Sequence, residues 1–242
     1  MKRNLYITRH FISFNFNCQI LAISHKIAKL LDSLQQDYLE KVIPRHRLLS
    51  PDIGYIWPET LKNDSIPAIM EKFRNTKGIV IDFRCYPHND FTAFTLGSYL
   101  TPTPTEFAKF TNGSIEQPGT FTFTDTLKVG NNNTQCYKGK VVIIVNETTQ
   151  SSADYHTMAF QTAPGATVIG STTAAADGNV SQIVLPGNVQ TGISGIGVYY
   201  PDGRETQRVG VALDVEVKPT IRGIIEGRDE LLEKAIEIIK QQ

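Results

Sequence analysis

Between Lys26 and Val42 the apolar residues Ile27, Leu30, Leu31, Leu34, Tyr38 and Val42 recur at spacings of three and four, and Pro44 follows. That period predicts a helix with one apolar face, ended at the proline. Residues 53–57 (IGYIW) predict a strand. A helix over 61–74 follows, with Asp64 or Ser65 at its head, Pro67 in its first turn and Ile69, Met70 and Phe73 facing inward. The runs GIVIDF at 78–83 and VVIIV at 141–145 are β-branched and do not alternate with polar residues. Such runs belong to strands covered on both faces, the usual case in a parallel sheet. A helix over 151–163, closed by Pro164-Gly165, and a third buried strand, ATVIG at 166–170, complete a strand–helix–strand succession that implies parallel crossovers.

Beyond Gly170 the pattern changes. The short runs VSQIVL, ISGIGVYY and VALDVEV predict antiparallel additions, and Leu231, Leu232, Ala235, Ile236 and Ile239 form the apolar stripe of a last helix over 228–240. Residues 101–135, rich in Pro, Thr, Gly and Asn, carry the weakest signals. The expected fold class is therefore α/β, a mainly parallel sheet flanked by helices with antiparallel additions.

The 242 residues carry 24 basic and 24 acidic side chains, so the chain is formally neutral and gives no electrostatic reason to expect a nucleic-acid partner. Cys18, Cys85 and Cys136 stand outside any zinc-ligand or C-x-x-C spacing, which argues against a metal or disulfide framework. Asp177-Gly178-Asn179 lacks the alternating acidic ligands of a calcium loop and reads as a turn. Gly195-x-Gly197 is no dinucleotide fingerprint, so no cofactor is expected. No stretch is apolar enough for a transmembrane span. The N-terminal apolar stretch, broken by Asn15, Asn17 and Gln19, falls short of a clean signal peptide.

Candidate chemistry concentrates after VVIIV, where Asn146-Glu147-Thr148-Thr149-Gln150-Ser151-Ser152-Ala153-Asp154 runs into a helix. A parallel strand, a small-residue turn and a helix present side chains at the carboxyl edge of the sheet, where α/β folds bind ligands. Free amides and the positive end of the helix dipole there favour a nucleophilic hydroxyl and the oxyanion of acyl transfer. Ser151 or Thr149 as a simple N-cap is the competing structural reading.

The blocks IVIDFR, VVIIVNETTQSSAD, ATVIGSTTAAADGNVS and IGVYYPDG with VGVALDVEV, in this order, resemble the catalytic core of the C-terminal processing (tail-specific) serine peptidases. The likeness runs from about Leu48 to Gln242 and is greatest to the lysine-lacking branch that includes tricorn-type proteases. It implies the crotonase-like, ClpP-like core of that family. Residues 1–47 match no part of it and are expected to form a separate N-terminal helical segment.

The resemblance implies that Ser151 of Thr149-Gln150-Ser151, with Asp154 three positions on, is the nucleophile, and that the Ser152 amide is one oxyanion donor. A second donor would come from the loop Asp82-Phe83-Arg84-Cys85-Tyr86-Pro87-His88-Asn89, in which both family glycines are replaced and His88 stands at the expected close approach. The family's lysine base would lie twenty-five positions beyond Ser151, at Ala176, so no Ser/Lys dyad exists. His88 is a candidate base, with an exposed loop histidine as the alternative. His156, about 140° around the helix from Ser151, is read as structural. Gln207 falls on a family glutamate and could orient a partner without carrying charge.

The implied function is a serine peptidase cleaving extended polypeptide C-terminal segments through an acyl-enzyme at Ser151. The alternative is a non-catalytic peptide-binding scaffold of the same fold. Family members are mostly exported to the cell envelope or periplasm.

Overall fold

The structure, a computed structural model, describes residues 45–241. The helix expected over 26–42 lies outside the described residues. Strand β1 (His46–Ser50) pairs antiparallel with β2 (Ile53–Ile56), so His46 and Arg47, expected to belong to the N-terminal segment, are part of the core sheet. A 3-10 turn, Asn63–Ser65, leads into α1 (Ile66–Phe73). Ser65 stands at its head without capping it. The Ser65 hydroxyl donates instead to the Lys62 carbonyl at 2.6 Å.

Next come β3 (Gly78–Asp82), α2 (Thr92–Leu100), β4 (Thr105–Gly113), β5 (Phe121–Phe123), β6 (Leu127–Val129) and β7 (Lys140–Val145). Helix α3 (Ser152–Phe160) and β8 (Thr167–Gly170) close the third parallel crossover, after β2–β3 and β3–β7. Then follow β9 (Val180–Leu185), β10 (Val189–Ser194), β11 (Val198–Tyr199), β12 (Val215–Glu216), α4 (Ile221–Ile225) and α5 (Glu230–Lys240).

The main sheet has the order β1-β2-β3-β7-β8-β12, parallel throughout except at its β1 edge. VVIIV lies at its centre, with every residue buried. The absence of alternation in its sequence now has a cause. Val141, Ile143 and Val145 pack with Ile79, Ile81 and the inner faces of α1, α2 and α3. Val142 and Ile144, one residue out of phase, pack with Val80, Ile53 and Tyr55 beneath Leu231, Ala235 and Ile239 of α5.

Two expectations are corrected. VALDVEV supplies only β12, and β12 runs parallel to β8 rather than antiparallel. Residues 101–135 hold the nine-residue β4, which pairs with β5, β6 and β11 in an antiparallel layer. VSQIVL is antiparallel as expected, forming the β9–β10 ribbon. Among the described residues no helix is long and apolar enough to cross a membrane.

Candidate active site

The loops after β3 and β7 meet at the carboxyl edge of the sheet, and one threonine fastens them together. Thr149 is fully buried; its hydroxyl donates to the Phe83 carbonyl at 2.8 Å and accepts from the Asn146 amide at 3.0 Å. Its own carbonyl accepts from the Ala174 amide at 2.9 Å, which brings in the loop after β8. We expect Thr149→Val, which leaves the buried Phe83 carbonyl and the part-buried Asn146 amide without this partner, to cost about 2–3 kcal/mol in urea unfolding. A cost under about 0.5 kcal/mol would refute this account of the turn.

At that junction Ser151 occupies the N-cap position of α3, with φ 52° and ψ −114° and no side-chain capping bond. A non-glycine residue at positive φ is strained by about 1–3 kcal/mol, and such strain collects at functional sites. The simple N-cap reading does not describe it, because the hydroxyl bonds none of the helix amides. The strain is held from outside. The Ser151 amide donates to the Ala176 carbonyl at 2.9 Å, and Ala175 in that facing loop also has positive φ, 55°. Gly170 permits the close passage of this loop: its φ is 132°, and a Cβ there would lie 1.8 Å from the Val145 carbonyl oxygen.

Ser152 is the first residue of α3, so its amide lacks an intrahelical acceptor. Its hydroxyl is engaged, donating to Asp90 Oδ1 at 2.8 Å. His156 lies one turn deeper, fully buried among Phe83, Tyr155 and Phe160. Its Nδ1 is 2.6 Å from the Ser152 carbonyl oxygen and must carry the proton to make that bond, so it cannot also accept from the Ser152 hydroxyl 3.4 Å away. Burial lowers its pKa, against the opposing pull of the Ser152 carbonyl, Asp90 and the Asn89 backbone, which keeps it neutral.

Asp154 is buried beneath Ser151, and neither of its carboxyl oxygens has a hydrogen-bond partner. Burial pushes its pKa up to about 7; the Thr173 hydroxyl and Ser151 amide oppose that shift without reaching hydrogen-bond geometry, and the charge of Asp177 adds to it.

A cavity of about 500 Å³ opens here, and its lining includes Ser151, Ser152, Tyr86, Asp90, Tyr155 and Asp177. His88 is not among its lining residues. The side chain of His88 is exposed with its ring against Tyr86 at 5.7 Å, and its amide donates to the Glu59 carbonyl at 3.1 Å, so that amide is already in use. Gln207 reaches the site through the backbone: its Nε2 donates to the carbonyls of Asp177 at 2.6 Å and Ile196 at 2.9 Å, and its Oε1 accepts from the Val198 amide at 3.3 Å.

Two cavity residues, Asp90 and Asp177, carry no catalytic motif in the sequence. Asp90 sits in a loop with no pattern of its own, and Asp177 looks like an ordinary Asp-Gly turn residue. The one available signal was that Asp177 directly follows Ala176, the position of the family lysine.

Parallel strands feeding a cavity at their carboxyl ends, with a serine at the head of the following helix, define the architecture of a serine-peptidase-like α/β core. A family model, Peptidase family S41, matches residues 52–217, and the chain belongs to that family. The fold is shared with a candidate peptidase from Parabacteroides merdae at a TM-score of 0.67 and 17% identity, over 85% of this chain and 68% of that one. Mature CPAF complexed with lactacystin is similar at a TM-score of 0.63 and 14% identity, over 78% of this chain and 51% of that one. The photosystem II D1 C-terminal processing protease gives 0.52 and 16%, over 70% of this chain and 43% of that one. The chain thus spans about half or less of the length of the latter two. No curated protein matches it.

Proposed function

We propose that the chain is a serine peptidase in which Ser151 attacks the carbonyl carbon of an extended polypeptide. The observation that carries this reading is the strained backbone of Ser151, which places an uncapped hydroxyl at the head of α3 and at the edge of the cavity. In the first half-reaction Ser151 Oγ adds to the carbonyl, and the developing oxyanion is met by the free Ser152 amide and the positive end of the helix. Collapse expels the amine and leaves an acyl-serine, which water then hydrolyses. Polypeptide C-terminal segments, as processed by the D1 protease, are the proposed substrate class.

A second reading, a peptide-binding scaffold without turnover, is favoured by one observation: the lining residues include no lysine or histidine. A fluorophosphonate probe followed by peptide mapping separates the two. Modification at Ser151 that disappears in Ser151→Ala, together with slow cleavage of an unfolded polypeptide, is the expected result. Modification at Ser152, or labelling undiminished in Ser151→Ala, would remove Ser151 as the nucleophile. Labelling without cleavage would favour the scaffold.

A further inference from the structure

The geometry points to Asp177 as the general base that takes the proton of Ser151, in place of the family lysine; this inference rests on the proposed nucleophile. Asp177 is only 6% exposed, and its Oδ2 is buried without a hydrogen-bond partner, while Oδ1 accepts from the Gly178 amide at 2.7 Å. A carboxyl with one oxygen held and one free is oriented yet able to accept. It lines the same cavity as Ser151. The loop that carries it is fixed on both sides of the residue. The preceding Ala176 carbonyl accepts from the Ser151 amide at 2.9 Å, and the Asp177 carbonyl accepts from Gln207 Nε2 at 2.6 Å. Gln207 is in this arrangement a positioning residue. It holds the backbone of the base.

The proton balance closes without any co-reactant. As Ser151 Oγ bonds to the substrate carbon, its proton passes to Asp177 Oδ2. On collapse, the departing amine takes that proton. In deacylation a water gives its proton to Asp177 while its oxygen bonds to the acyl carbon, and Ser151 leaves with the proton restored. The surroundings suit a base that works near neutral pH. Burial raises the pKa of Asp177 to about 6 against the Gly178 amide, and the ionisable groups around it are Asp154, Tyr155, Asp90 and Tyr86, with no cation among the cavity residues to depress it.

The test is the rate of fluorophosphonate modification of the intact chain as a function of pH. The expected wild-type rate climbs about tenfold per pH unit below 6 and flattens above 7. Asp177→Asn is expected to slow modification by a hundredfold or more and to remove the step, and Asp177→Glu to restore part of the rate. A wild-type rate that keeps rising with hydroxide through pH 9 would overturn the assignment without recourse to any variant. So would a step that persists in Asp177→Asn, which would transfer it to Asp154. Either result leaves Ser151 standing, whereas labelling that survives Ser151→Ala removes the nucleophile itself.

Discussion

Arg84→Met is expected to destabilise the fold by about 3–5 kcal/mol and to lower the thermal midpoint by about 10 °C. Arg84 sits between two carboxylates. Its Nε and Nη2 donate to Asp82 at 2.9 and 2.6 Å, and its Nη1 and Nη2 to Asp229 at 3.0 and 2.7 Å. Asp82 ends β3 with no exposed surface and also accepts from the Tyr55 hydroxyl at 3.0 Å. Asp229 caps α5 by accepting from the Leu232 amide at 3.1 Å. Removing the guanidinium therefore strands a fully buried charge and loosens the helix that covers one face of the sheet.

The titration of the partners agrees. Burial lowers the pKa of Arg84, but the bonds to both carboxylates outweigh it and hold the group above its ordinary value. Burial raises Asp229, and Arg84 together with the α5 amides more than offsets that, leaving it below the usual range. Adding Asp82→Leu to Arg84→Met removes the stranded charge and should recover part of the loss. If Arg84→Met alone unfolds within about 1 kcal/mol of wild type, the network is not holding β3 to α5.

The same cluster marks how far the sequence could be read. GIVIDF and VVIIV announced a buried parallel sheet because both faces of these strands are covered, and periodicity reports coverage directly. What periodicity cannot report is a partner distant in the chain. Asp82 and Arg84 appeared as part of a motif, but their tie to Asp229 spans 145 positions and leaves no local trace. Helix α2 was missed for a related reason. Three of its five buried residues, Thr92, Ala93 and Gly97, are small or hydroxylated, so the apolar stripe of Leu96 and Leu100 looks broken. β4 hides among Thr and Asn because only Phe107 and Ala108 of its nine residues are buried.

At the site, the Thr-x-Ser turn was legible and its strain was not, since a positive φ at a serine is imposed by the Ala176 contact from the loop after β8. Asp177 was legible only as a turn. Its role depends on burial, which a short polar segment does not advertise.

Burial of Asp154 leads to the second large expectation, a pH-dependent cost of folding. Its carboxyl is raised to about 7 in the fold and titrates at its ordinary value near 4 in the unfolded chain. Below pH 4 it is protonated in both states and contributes its full share of stability. Between pH 4 and 7 the unfolded chain releases this proton while the fold retains it, so that share is lost as pH rises. The loss amounts to about 4 kcal/mol by pH 8. Asp177 changes in the same direction, whereas Asp229, held low by Arg84, acts in the opposite sense by losing stability as pH falls. The whole-protein profile mixes these effects, but the difference between wild type and Asp154→Asn isolates one of them.

Asparagine cannot ionise, and its buried amide adds a cost of about 1–3 kcal/mol that does not depend on pH. Urea unfolding at pH 4.5 should therefore find wild type the more stable of the two. By pH 8 the difference should shrink by most of 4 kcal/mol and change sign. A difference that stays constant from pH 4.5 to 8 would mean that Asp154 is ionised in the fold at neutral pH. It would then be a charge beneath Ser151 that the proposed acyl transfer would have to accommodate.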